Sequence, residues 1–130
     1  MVDTLGQTLT TSPLLETKLY THRWLTGLVS RPRLIERLDQ GTERKLTLIS
    51  APAGFGKTTL LAEWLAATPA SERPAAWLSL DQSENDPALF WAYFITALQT
   101  AHSGVGESAL SLLRSPQPPP IEALLGTLLN

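Results

Sequence analysis

KLTLISAPAGFGKTTLLAEWL, residues 45–65, is the stretch that decides the predicted fold. A short apolar run enters a turn of alanine, proline and glycine, and the turn leads into a helix with an apolar stripe. A strand, a glycine-rich turn and a helix N-terminus occur in the order that phosphate binding requires. In this order the backbone N–H groups of the turn and the positive end of the helix dipole can point at the same phosphate. The stretch predicts a phosphate-binding loop at residues 51–59, called the glycine loop below.

Each residue type in the glycine loop has a physical reason. The pattern G-x-x-x-x-G-K-[ST] is complete except at Ala51, which stands where the first glycine is usual and which we interpret as a tolerated departure. Gly54 and Gly56 permit backbone angles and a closeness of approach that a side chain would forbid. Lys57 is expected to reach the β- and γ-phosphates as a point charge, and the Thr58 hydroxyl to ligate Mg²⁺. The predicted cofactor-binding residues of the loop are Ala53, Gly54, Phe55, Gly56, Lys57, Thr58 and Thr59, with Thr58 also the metal ligand.

Two other interpretations fit the glycine loop less well. An ordinary glycine-rich turn between a strand and a helix does not require Lys-Thr-Thr directly after Gly-Phe-Gly. A dinucleotide-binding turn requires a third glycine three positions after Gly56, where Thr59 stands. Nucleoside triphosphate binding is therefore the favoured hypothesis.

The composition of the 130 residues indicates a soluble domain with enough apolar residues, 43%, for a core. The formal charge of −2 offers no basic surface for nucleic acid or an acidic membrane. The absence of cysteine excludes disulfides and thiolate metal sites. No apolar run approaches the ~18 residues of a membrane span, so a cytoplasmic location is expected.

The remaining patterns predict an alternation of strands and helices. Ser30 and Pro32 predict the start of a helix that ends near Gly41, with Ser30 as the N-cap. Strands are predicted at residues 45–50 and 75–80, and further helices at residues 57–67, 88–101, 107–114 and 121–130. This order predicts an α/β fold, that of a P-loop NTPase with three α/β/α layers and a mainly parallel sheet. Only the loop strand and one further strand are present, so the fold is expected to be incomplete.

The end of the chain indicates that something is missing. The last helix, residues 121–130, keeps an apolar stripe, and no apolar run ends in the paired acids that hold a second metal-bound water. We therefore expect residues 1–28 to be a partly disordered lead and residues 29–130 to be the N-terminal part of an NTPase domain, without the Walker B strand. We assign no catalytic residue and expect no hydrolysis by this chain alone. The alternative is a small complete domain that binds nucleotide without hydrolysing it.

Several runs together resemble one family. The chain resembles the N-terminal ATPase domain of large ATP-binding LuxR-type (MalT-like) transcription regulators, of the STAND class. Four runs carry the resemblance: LVSRPRLIERLDQG, the glycine loop stretch, AAWLSLDQSENDPALFWAYFITALQTA and IEALLGTLLN. The resemblance implies ATP with Mg²⁺ as a conformational switch, and other domains of the same protein as partners. It implies contact with promoter DNA only through an absent C-terminal domain, possible oligomerisation and no membrane. It also implies that Arg31 contacts the adenine or ribose; the alternative is that Arg31 belongs to a solvated first turn.

Two further features leave alternatives open. Asp81 either caps the polar stretch after it or orients a water, and we favour the cap; Glu84 and Asp86 are interpreted as solvated loop and cap residues. The helix at residues 88–101 is apolar almost all round, which favours core packing over an aromatic ligand cage. The second functional hypothesis is a non-catalytic interaction module that docks through this helix and the leucine-rich last helix.

Overall fold

The computed structural model describes residues 14, 16–20, 29–69 and 72–129. The predicted disordered lead falls largely on residues 1–13, 15 and 21–28, which lie outside this part of the chain. The described residues form five α-helices: α1 (Pro32–Gly41), α2 (Lys57–Ala66), α3 (Pro87–Ala101), α4 (Glu107–Leu113) and α5 (Ile121–Leu129). Two short 3-10 helices cover Glu16–Lys18 and Gln82–Asn85.

The predicted α/β fold with a parallel sheet is wrong for the described residues, which contain no strand. Residues 45–50 and 75–80, the two predicted strands, form no backbone ladder with each other. In the first run, Leu46 and Leu48 are each 84% exposed, whereas a strand between helical layers would bury them. The physical reason is that apolar patterning favours an extended segment, but a sheet also needs a neighbouring strand to accept and donate its hydrogen bonds.

Helix α1 begins one residue later than predicted. Pro32 occupies its first turn, where the missing N–H has no cost, but the N-cap residue is Arg31 rather than Ser30. The Arg31 carbonyl accepts the first backbone bonds of the helix, from the Leu34 amide at 2.9 Å and the Ile35 amide at 3.1 Å. Because no side chain caps this end, the Arg31 side chain is not engaged by its own helix.

Helix α1 packs on α2, and each buries one leucine, Leu38 of α1 and Leu60 of α2. A polar clamp joins the same two helices. Asp39 Oδ1 accepts hydrogen bonds from Trp64 Nε1 at 2.8 Å and from the Arg73 guanidinium at 2.9 Å. The guanidinium also lies 4.5 Å from the centre of the Trp64 ring, a cation–π arrangement. These bonds, that of the indole first, hold the pKa of Asp39 below its usual value.

Helix α3 is the centre of the remaining packing, and the core role predicted from its all-round apolar surface is confirmed. Tyr93 and Ala97 pack with Leu19 in one buried cluster. Ile95 packs with two residues of the following helices, Ala109 and Leu124, in a second. The rings of Phe90, Trp91 and Phe94 also contact one another, with ring centres 5.2 to 6.0 Å apart.

The helix boundaries agree with the sequence pattern within one or two residues. Asp86 caps α3, as predicted from the sequence, and its carboxylate accepts a hydrogen bond from the Ala88 amide at 2.9 Å. Within the described residues, no helix is both long and apolar enough to cross a membrane.

Candidate functional site

The glycine loop has the local geometry that its sequence predicts. Gly54 has φ of +84° and Gly56 has φ of +78°, the left-handed region that L-residues adopt at a cost. Between them, the Phe55 amide approaches the Pro52 carbonyl at 3.4 Å and closes a turn. No non-glycine residue in the described part of the chain has positive φ, so Ala51 needs none of the freedom of the glycine it replaces.

The loop ends at an uncapped helix N-terminus. Helix α2 begins at Lys57, and Gly56, its N-cap residue, has no side chain to offer the first amides. The first helical backbone bond runs from the Leu60 amide to the Gly56 carbonyl at 2.9 Å. The amides of Lys57, Thr58 and Thr59 therefore have no acceptor within the helix, and the helix dipole adds partial positive charge at the same place. Free amides at a helix N-terminus are a general feature of anion-binding sites in proteins.

Lys57 lies folded against the loop. Its ammonium donates hydrogen bonds to the Ala51 carbonyl and, at 3.1 Å, to the Pro52 carbonyl. The side chain is half-buried, so the positive charge is held beside the loop backbone rather than free in solvent. Thr58 is exposed and Thr59 is half-buried on the same first turn.

Arg31 reaches the glycine loop from the start of α1. Its Nη1 donates a hydrogen bond to the Phe55 carbonyl at 3.0 Å. Its guanidinium also lies 3.2 Å from the position that a Cβ on Gly56 would occupy. Arg31 is thus exposed at the start of α1, as the alternative of a solvated first turn expects, and it also contacts the glycine loop. Arg33, two residues later, faces a different surface cleft, between Glu36 and Gln40.

A cleft of about 520 Å³ lies between α1, the run before the loop and the start of α2. It brings together four of the predicted site residues, Arg31, Phe55, Gly56 and Lys57, while Ala53, Gly54, Thr58 and Thr59 do not line it. The rest of the wall is mostly apolar with one further arginine: Leu34, Arg37, Leu38, Thr47, Leu48, Ile49, Ser50, Ala51 and Leu60. A basic rim on an apolar wall suits a ligand with an anionic end and a flat apolar body.

Metal-binding residues of the usual kinds do not cluster in the described ranges. No group of three or more histidine, cysteine, aspartate or glutamate side chains there is arranged to hold a metal ion. A magnesium ion at the loop would therefore depend on ligand phosphates, water and the Thr58 hydroxyl, the oxygen ligands that this ion accepts.

Asp81 is a capping residue, as favoured from the sequence. Its carboxylate accepts the Ser83 amide at 2.8 Å, and its own amide donates to the Glu84 carboxylate at 2.6 Å, which completes a capping box. The spacing Asp-x-x-Glu at residues 81–84 carries the signal for this motif. The Ser83 hydroxyl and amide, helped by the ammonium of Lys18, hold the pKa of Asp81 far below its usual range.

Glu84 is buried, so the interpretation of it as a solvated loop residue is wrong. Its carboxylate pairs with Lys18, which is also buried and which contacts Asp81 at 2.9 Å and Ser83 Oγ at 2.9 Å. The Lys18 ammonium also lies 5.2 Å from the centre of the Tyr93 ring. The pKa of Lys18 is raised, chiefly by Glu84, and that of Glu84 is lowered, chiefly by Lys18. Nothing in the sequence pairs two residues that are 66 positions apart.

Comparison with known proteins gives a consistent result. No protein-family model matches the chain. The chain is 42% identical over 100 residues to the HTH-type transcriptional regulator MalT of Serratia proteamaculans, covering 75% of this chain and 11% of that protein. It is 41% identical over 91 residues to MalT of Yersinia enterocolitica, covering 70% and 10%, and 36% identical over 115 residues to MalT of Yersinia pestis, covering 88% and 12%. The chain thus spans about a tenth of the length of these relatives, and the resemblance predicted from its sequence is confirmed.

Proposed function

We propose that this chain, related in sequence to MalT transcription regulators, binds ATP with Mg²⁺ at the glycine loop and acts as the nucleotide-responsive part of such a regulator. The observation that carries the proposal is local. Two glycines with positive φ, Gly54 and Gly56, lead directly into the uncapped start of α2. Two cations, Lys57 and Arg31, are hydrogen-bonded to the backbone of the same loop.

The chemistry of these groups fits a polyphosphate. Amide donors at an uncapped helix start bind phosphate oxygens without needing a side chain. Lys57 supplies a positive charge for a charge-assisted bond to the phosphates, the stronger kind of hydrogen bond, and Arg31 adds positive charge beside the loop. When bound, Mg²⁺ would neutralise phosphate charge, and Thr58 is the residue of this chain that would hold it.

The position of Lys57 suggests how nucleotide binding acts as a switch. Its ammonium is satisfied by the carbonyls of Ala51 and Pro52, so a phosphate that attracts this ammonium competes with two loop carbonyls. The loop backbone and the ligand are thereby coupled. A ligand shifts a conformational equilibrium only if its affinities for the two conformations differ. A loop in which Lys57 is bonded to the two carbonyls and a loop in which Lys57 is bonded to phosphate would differ in this way.

Calorimetric titration of the chain with Mg-ATP tests the proposal. We expect Lys57→Ala to weaken binding at least tenfold, because a charge-assisted bond of about 1.5–3 kcal/mol is lost. Lys45→Ala removes the same charge from an exposed lysine outside the loop and should leave the affinity unchanged. No binding by the wild-type chain, or equal binding by the Lys57 variant, would refute the proposal.

The metal part of the proposal has its own test. Thr58→Ala should weaken binding of ATP in the presence of Mg²⁺ and have little effect when EDTA removes the ion. Thr59→Ala, a matched change at the next residue, should not show this dependence on Mg²⁺. An identical response of the two variants would exclude Thr58 as the metal ligand. Titration with Mg-GTP in parallel measures the preference for adenine, which the resemblance alone predicts.

A further inference from the structure

The peptide between Phe55 and Gly56 is held from outside the glycine loop. Phe55 is 62% exposed, so packing of its ring does not fix the backbone. Gly56, whose φ lies directly beside this peptide, and Gly54, one residue before Phe55, leave the backbone here unusually free. Among the contacts of the described residues, the Phe55 carbonyl accepts its hydrogen bond from Arg31 Nη1, at 3.0 Å.

We infer that Arg31 is a positioning residue, which orients the Phe55–Gly56 peptide for phosphate binding instead of reading the base of the nucleotide. This inference rests on the proposed function. One planar peptide unit contains both the Phe55 carbonyl and the Gly56 amide, so a bond that fixes the carbonyl also fixes the amide on the opposite side. A hydrogen bond to the carbonyl also polarises the unit and makes its N–H a better donor.

The surroundings of Arg31 suit this role. Arg31 starts α1, and its own carbonyl accepts the amides of Leu34 and Ile35, so its backbone is part of the helix. Helix α1 is joined to α2 by the bond between Asp39 and Trp64 at 2.8 Å. The guanidinium is therefore carried by a helix anchored to the helix that the loop enters. The Phe55 carbonyl accepts its bond from a side chain at the start of α1, whereas the loop leads into α2. The position of this carbonyl therefore depends on how α1 packs on α2.

Two ligands separate a positioning role from a base or ribose contact. ATP and inorganic tripolyphosphate share the phosphate chain, but tripolyphosphate has neither base nor ribose. If Arg31 positions the loop, Arg31→Ala weakens both ligands by the same factor, about tenfold for one charge-assisted bond at an exposed site. Arg33→Ala removes the same charge two residues away, in a different cleft, and should change neither affinity. A loss confined to ATP would overturn the inference in favour of base or ribose contact.

A second measurement, made without any nucleotide, separates positioning from direct contact with phosphate. The ¹H–¹⁵N resonance of Gly56 should shift in Arg31→Ala, because its peptide loses the bond to the Phe55 carbonyl, and should stay unchanged in Arg33→Ala. Circular dichroism checks that both variants keep their helices. An unchanged Gly56 resonance in Arg31→Ala would overturn the inference. If the wild-type chain binds neither ATP nor tripolyphosphate, the proposed function fails, and the Gly56 resonance alone still decides whether Arg31 positions the loop.

Discussion

Replacing Gly56 with alanine should destabilise the protein more than the same replacement at Gly54. Both glycines have positive φ, +78° and +84° respectively. A Cβ on Gly54 would meet nothing within 4 Å, whereas a Cβ on Gly56 would lie 3.2 Å from Nη2 and 3.3 Å from Nη1 of Arg31. Gly54→Ala is therefore a matched control, because it places an L-residue at positive φ without bringing a Cβ against Arg31.

The magnitudes follow from these two geometries. A left-handed backbone costs an L-residue roughly 1–2 kcal/mol, and both variants carry this cost. The change also reduces the entropy of the unfolded chain, which offsets about 0.4–1 kcal/mol at either position. At Gly56 the guanidinium must also shift by a few tenths of an ångström, and we expect the resulting strain on its bond to the Phe55 carbonyl to add about 1 kcal/mol. We expect Gly56→Ala to exceed Gly54→Ala by about that amount.

Urea unfolding followed by circular dichroism measures the difference. With a slope of about 2 kcal/mol per molar urea, 1 kcal/mol moves the midpoint by about 0.5 M. The variants Arg31→Ala and Arg31→Ala with Gly56→Ala complete a double-mutant cycle, in which the coupling free energy should be about 1 kcal/mol. Once the arginine is removed, Gly56→Ala should cost no more than Gly54→Ala. Equal losses at the two glycines in the wild-type background, or zero coupling with Arg31, would refute the reasoning.

The remaining predictions concern the core and the ion pairs of Lys18 with Asp81 and Glu84. Ile95→Ala should lower the free energy of unfolding by about 2–5 kcal/mol because Ile95 is fully buried, whereas Leu129→Ala, at a residue 83% exposed, should change it by under about 0.5 kcal/mol in urea unfolding. The pKa values of Asp81 and Glu84 are lower in the folded protein than their ordinary values of 3.8 and 4.5. The two carboxylates therefore stabilise the fold at a pH above those ordinary values, and this stability is lost as the pH falls through the folded pKa values. We expect the melting temperature to drop in acid. The pKa of Lys18 is raised in the folded protein, so its contribution to stability is complete below pH 10.5 and is lost as the pH rises through the folded pKa. Lys18→Met should therefore make the melting temperature depend less on pH in both the acid and the alkaline range. A melting temperature with unchanged pH dependence in this variant would contradict the assignment.

The comparison of sequence with structure separates local from non-local features. The start of α2 at Lys57, the stop near residue 67 and the cap of α3 by Asp86 depend on residues within one turn of each other. Such features are readable because capping and turn formation use neighbouring backbone groups. Ser30 is also a good capping residue, but the N-cap position of α1 is occupied by Arg31. The exact end of a helix is uncertain by one or two residues when it is inferred from sequence.

The predicted sheet shows the limit of the same reasoning. The apolar run at residues 45–50 has the composition of a buried strand, yet Leu46 and Leu48 are largely exposed and the run pairs with no strand in the described chain. The apolar pattern of a run describes that segment alone, whereas a sheet requires hydrogen bonds between two or more segments. The pattern therefore does not determine whether a partner lies beside it.

The sequence by itself determined the glycine loop, the positive φ of its two glycines and the relationship to MalT regulators. Only the tertiary structure decided which distant side chains serve it: Arg31 on the Phe55 carbonyl, Asp39 against Trp64, and Lys18 against Glu84. The reason is that backbone angles and caps are set by covalent neighbours, while a hydrogen bond or ion pair between residues far apart in the chain is set by how helices pack. Helix α1 brings Arg31 to the loop because α1 lies on α2, and no local pattern specifies that contact.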